Sequence, residues 1–137
     1  MAITRFRVSE AAALLGVSDD TIRRWADAGR LTLDRDSSPS TVDGAQLAAL
    51  AQELASESAI AGAFPAHRAS ARNRITGIVT KVTKDLVMAQ VEMQAGPFRI
   101  VSLMSREAAD ELELEPGSLA VASVKATTVV IELGDTP

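Results

Sequence analysis

The chain has 137 residues, 47% of them apolar and only 3% aromatic, with a net charge of −4 and no cysteine. Disulfides, thiolate metal sites and cysteine nucleophiles are excluded, and no apolar run approaches the ~18–20 residues of a spanning helix. Residues 1–60 carry six arginines against nine acidic side chains, and residues 70–137 carry seven Lys and Arg against nine, so neither half has the basic excess of a nonspecific nucleic-acid binder. No signal peptide is legible, and a cytoplasmic protein without a membrane segment is expected.

Ser9 is placed to cap a first short helix through Ala11, Ala12 and Leu15, which Gly16 ends. Ser18 caps a second helix with Asp19 and Asp20 in its first turn, where negative charge suits the helix dipole. Ile22, Trp25 and Ala26 form its apolar stripe, with Trp25 a core anchor, and Gly29 is a C-terminal stop. A third helix starts at Asp43, with Gln46 in capping-box position and Leu47, Leu50, Ala51 and Leu54 on one face. Residues 55–69 have no clear period, contain Gly62 and Pro65, and read as a linker. His67, the only histidine, falls there and is not read as a metal ligand.

The remainder predicts short strands. Val87, Ala89, Val91 and Met93 alternate with Met88, Gln90, Glu92 and Gln94, as a half-buried strand requires. Gly96-Pro97 turns the chain into Phe98–Leu103, a helix covers about Ser105 to Leu112, and Pro116-Gly117 begins the return. Leu119–Lys125 and Thr128–Leu133 supply the last two strands. Five strands with one short helix between the third and fourth is the ground plan of an OB-type barrel. The expected fold is α+β: a small helical winged helix-turn-helix head over residues 1–54, a linker over 55–69, and a five-stranded OB-like barrel over 70–137.

The segment from Leu15-Gly16-Val17-Ser18 through Thr21-Ile22-Arg23-Arg24-Trp25 to Ala28-Gly29-Arg30-Leu31 resembles the winged helix-turn-helix of MerR-like and excisionase-like proteins. That resemblance implies a recognition helix presenting Thr21, Arg23 and Arg24 to the major groove of double-stranded DNA. Arg30 and Arg35 would add backbone contacts, which position without reading sequence. The stretch Asp36-Ser37-Ser38-Pro39-Ser40-Thr41 is neutral to acidic where such relatives carry basic residues in the wing.

Ser70-Ala71-Arg72-Asn73, Gly77-Ile78-Val79, Glu111-Leu112, Pro116-Gly117 and Val124-Lys125-Ala126-Thr127 together resemble a molybdate-binding TOBE domain, also known as a molbindin. The resemblance implies molybdate or tungstate held at subunit interfaces, hence a homo-oligomer that is at least a dimer. It assigns the oxyanion to Ser70, Arg72, Ser102, Ser105, Lys125 and the backbone of Ala126, with Asn73 structural. The chemistry of these residues agrees independently: a tetrahedral dianion accepts hydrogen bonds and donates none, so it suits hydroxyl, guanidinium and ammonium donors. No nucleophile–base pair, metal cluster or Gly-rich phosphate loop is visible, so no enzyme is expected. The two resemblances together imply a molybdate-responsive DNA-binding regulator, with a storage or buffering protein as the alternative.

Overall fold

A computed structural model describes residues 4–65 and 68–134, and His67 lies outside the described residues. The chain divides into two compact units, one built on residues 4–58 together with residues 131–134 and one spanning Ala59–Val130. Among the described residues no helix is long and apolar enough to cross a membrane.

The first unit contains strand β1 (Arg5–Arg7), helices α1 (Val8–Leu15) and α2 (Asp19–Asp27), strands β2 (Leu33–Asp34) and β3 (Thr41–Asp43), and helix α3 (Gly44–Ser56). Its strands form a small antiparallel sheet in the order β1-β3-β2. Two of the expected caps are present: Ser18 Oγ accepts from the Thr21 N–H at 3.2 Å, and Asp43 Oδ2 from the Gln46 N–H at 3.3 Å. The first cap differs. Ser9 lies inside α1, and Arg7 is the N-cap, its backbone N–H donating to Glu10 Oε2 at 2.8 Å and its guanidinium to Oε1 at 2.9 Å. The Gln46 side chain accepts from the Thr32 N–H at 2.9 Å, tying α3 to the segment before β2. Gly16 takes φ 68°, the left-handed value of a helix stop.

Ile22, Val42, Ala11, Leu47 and Leu50 are buried at the centre of this unit, and Trp25 packs against them. The second helix therefore turns Ile22 inward, which leaves its Arg-bearing face outward. Helix α3 runs on to Ser56 and the second unit begins at Ala59, so the stretch read as a linker is divided between the two.

The second unit carries strands β4 (Asn73–Lys84), β5 (Met88–Ala95) and β6 (Phe98–Ser105), helix α4 (Arg106–Glu111) and strand β7 (Leu119–Val124). They form one antiparallel sheet in the order β6-β5-β4-β7. Alternation places Ala89, Val91 and Met93 inside with Val79, as the sequence pattern predicts, whereas Val87 precedes β5 and is exposed. β4 is a splice between two ladders: residues 73–78 pair with β7, and residues 78–84 pair with β5, with a register shift between Val79 and Lys81. Gly77 sits where a Cβ would meet the Gln94 carbonyl oxygen at 2.5 Å, so the close approach of β4 and β5 needs glycine here.

The strand expected over Thr128–Leu133 is not formed. Ala126–Thr128 makes a 3₁₀ turn and residues 129–134 belong to no strand, so the sheet has four strands among the described residues. The apolar sequence is strand-prone, but a strand needs a ladder partner, and this chain brings none alongside it.

Candidate functional site

The register of β4 and β7 assembles most of the expected oxyanion residues. Asn73 lies opposite Val124, and its Nδ2 donates to the Val124 carbonyl at 3.1 Å. Ser70 and Arg72, just before β4, and Lys125 and Ala126, just after β7, therefore share one end of the same ladder. Arg72 and Lys125 thus flank the same end of the ladder within one chain. Arg72 Nη1 donates to the Ala69 carbonyl at 2.7 Å, folding back on its own segment. Lys125 is exposed and enters no ion pair among the described residues, while its carbonyl accepts from the Thr128 N–H at 3.0 Å and Oγ1 at 2.9 Å. Ala126 opens that turn, and its N–H precedes the turn's own hydrogen bonds.

The two β6 serines are placed differently. Ser105 pairs with Met88 at the opposite end of the sheet, where its Oγ accepts from the Ala108 N–H at 3.1 Å and caps α4. A single chain does not bring Ser105 to Lys125. Ser102 lines a cavity of about 280 Å³ together with Ser123 and Val124 of β7. Ser123 was not singled out in the sequence; its approach to Ser102 depends on the curl of the sheet. A second missed cation is Arg74, whose Nη1 donates to the Pro65 carbonyl at 3.1 Å and anchors residues 61–65 over β4. Its spacing of two from Arg72 was the available signal.

Three other cations of this unit are paired with carboxylates. Lys84 and Arg106 both reach Asp110, and Arg99 binds Glu92. The Lys84 hydrogen bond holds the Asp110 carboxyl below its usual range, and the Arg99 hydrogen bond does the same for Glu92. Asp85 is lowered by the backbone N–H groups of Met88 and Val87, which donate to Oδ1 at 2.7 and 2.8 Å. Groups with lowered folded values contribute stability above their ordinary values of 3.8 and 4.5, and that stability is lost as pH falls through the folded ones. The urea midpoint of the second unit is thus expected to hold from about pH 7 to about pH 5 and to drop below about pH 4. A midpoint still flat at about pH 3, followed by circular dichroism, would contradict this.

In the first unit, α2 gathers Thr21, Arg23 and Arg24 away from the core. Arg24 Nη2 donates to Thr21 Oγ1 at 3.1 Å, and Thr21 Oγ1 lies 3.0 Å from Ser18 Oγ. Arg23 has a loose ion pair with Asp20 at 3.6 Å, and Arg35 one with Asp27 at 3.8 Å. Such exposed pairs contribute little and release readily to a phosphate. Arg30 is held more firmly, by Glu53 at 2.9 Å and by stacking 5.2 Å over the Trp25 ring.

Residues 69–131 match the TOBE domain and residues 6–35 a helix-turn-helix domain. Over 63 residues the chain is 38% identical to molybdenum-pterin-binding protein 2 of Clostridium pasteurianum. It is 36% identical to protein 3 of the same organism, and each match covers 45% of this chain and 93% of the relative. Among solved structures it is similar to a molybdate binding protein from Sporomusa ovata, at 29% identity over 48% of this chain and 98% of that one, with a TM-score of 0.47. Fold and matches define a two-part chain, a helix-turn-helix domain followed by a TOBE domain. Through residues 69–131 it belongs to the TOBE family, alongside the clostridial molybdenum-pterin-binding proteins.

Proposed function

We infer that the protein is a molybdate-responsive, DNA-binding transcriptional regulator, with tungstate as an equivalent ligand. The observation that carries the reading is the gathering of Ser70, Arg72, Lys125 and Ala126 at one end of the β4–β7 ladder, in a chain that also presents Thr21, Arg23 and Arg24 on an outward helix face. Hydroxyl, guanidinium, ammonium and backbone N–H donors at one place suit a dianion that only accepts. Ser102 and Ser105 complete the set from a second copy, which makes the working form at least a dimer with a closed OB-like barrel. Ligand then alters DNA affinity because it favours one arrangement of copies over another.

The acidity of the first sixty residues favours a second reading, an intracellular molybdate buffer whose head does not read DNA. Footprinting of the region upstream of its own gene, with and without molybdate, separates the two. Protection that changes with molybdate and disappears in the Arg23→Ala, Arg24→Ala double variant is expected, since each lost guanine contact costs roughly 1–3 kcal/mol and a dimer loses two sets. If the wild type protects nothing under either condition, the regulator reading fails and the buffer stands.

A further inference from the structure

Helix α2 carries two adjacent exposed arginines, and their surroundings differ. Arg23 is paired loosely with Asp20, at 3.6 Å. Arg24 enters no ion pair among the described residues, and its Nη2 donates instead to Thr21 Oγ1 at 3.1 Å. Thr21 Oγ1 in turn lies 3.0 Å from Ser18 Oγ, and Ser18 Oγ accepts the Thr21 N–H at 3.2 Å. Three side chains at a spacing of three are thus joined in a row along one helix face, from the N-cap to a guanidinium.

A guanidinium only donates, so Thr21 Oγ1 is the acceptor of the Arg24 bond. Thr21 is half-buried, and its oxygen already serves both Arg24 and Ser18. Arg24 uses one N–H in this bond and keeps the rest of its planar fork for an acceptor pair outside the chain. The row also starts from a fixed point. Ser18 caps the first turn through the Thr21 N–H, and the next residue, Ile22, is fully buried, so the backbone that carries Thr21 is held on both sides.

We propose that Thr21 is a positioning residue, which holds the Arg24 guanidinium ready for a base edge in the major groove and makes no contact of its own with DNA. The proposal rests on the DNA-binding reading of the previous subsection and divides the labour within it. A bidentate guanine contact needs the fork in one orientation, and a long side chain ordered beforehand loses less freedom on binding. Arg23, tied only by an exposed and loose pair, lacks that support and suits a phosphate, which accepts many geometries.

Two substitutions in the full-length chain separate this role from the alternatives. Thr21→Val removes the hydroxyl but keeps the branched shape and the capped N–H, whereas Thr21→Ser keeps the hydroxyl. Without DNA, side-chain nitrogen relaxation is expected to show the Arg24 Nε–H group more restricted than that of Arg23 in wild type and in Thr21→Ser, and equally mobile in Thr21→Val. Unchanged Arg24 mobility between wild type and Thr21→Val would overturn the proposal. With DNA, fluorescence polarisation compares a duplex covering the region upstream of the protein's own gene with a scrambled duplex of the same length. Thr21→Val should lower the preference for the upstream duplex roughly 3- to 10-fold for each helix engaged, and Thr21→Ser should retain it. In an Arg24→Ala background Thr21→Val should cost nothing further, because Thr21 acts through Arg24. A loss of the same size in that background would reveal a direct Thr21 contact and sink the proposal. If the wild type shows no preference for the upstream duplex, the regulator reading fails and the positioning role falls with it. A wild type that prefers the upstream duplex, matched by an equal preference in Thr21→Val, refutes the positioning role alone.

Discussion

Lys125→Ala is expected to weaken molybdate binding by about 2–4 kcal/mol, roughly 30- to 1,000-fold, without altering the fold. The side chain is exposed and makes no ion pair among the described residues, and its structural contacts to Thr128 pass through the carbonyl, which alanine keeps. A bound dianion gives up its hydration, and the ammonium group offsets part of that cost by a charge-assisted hydrogen bond. Calorimetry with molybdate, tungstate and sulfate measures the loss. Tungstate should follow molybdate, both being tetrahedral dianions of nearly equal size, and the smaller sulfate should bind far more weakly in a cavity fitted to them. An unchanged affinity in the variant would show that Lys125 simply faces solvent.

Ile22→Ala is expected to destabilise the helix-turn-helix unit by about 2–5 kcal/mol. Ile22 is fully buried, at 0% exposure, and packs with Val42, Leu47 and Leu50 at the meeting of two helices and the small sheet. A unit this small has little stability to spare, so a loss of this size populates its unfolded form at ambient temperature. Trp25, the single tryptophan, packs on the same core and reports the transition by fluorescence. Unfolding curves that coincide for wild type and variant would mean that the cavity collapses around the missing methyl groups. Anion binding should be preserved, because the candidate anion residues all lie in the second unit.

Local chemistry was legible in the sequence wherever a small residue acts on its neighbours. Ser18 and Asp43 cap their helices through bonds spanning three residues, Gly16 ends a helix, and the alternation through Ala89, Val91 and Met93 marks a strand. The Arg7 cap was not legible, because two long side chains perform a task that a serine two positions later advertises more clearly. Gly77 has no turn signal around it, and the carbonyl that demands it lies on the next strand. In the second unit the donor types were readable while their grouping was not: Asn73 joins positions 51 residues apart, and only the ladder register shows that Arg72 and Lys125 share an end. The last apolar run reads as a strand by composition, and composition does not supply the ladder partner a strand needs.

The β4–β7 pair also determines how the protein would bear load. Its chain ends, near Ser70 and Lys125, leave the ladder at the same side, so a pull between them opens the antiparallel bonds one after another, beginning at Asn73 and Val124. A pull between opposite ends would have to shear all of them together. The first unit is attached through the residues before Ser70, so tension on it reaches the weak end of the zipper first. The first bonds to part there are those that keep the candidate anion donors side by side.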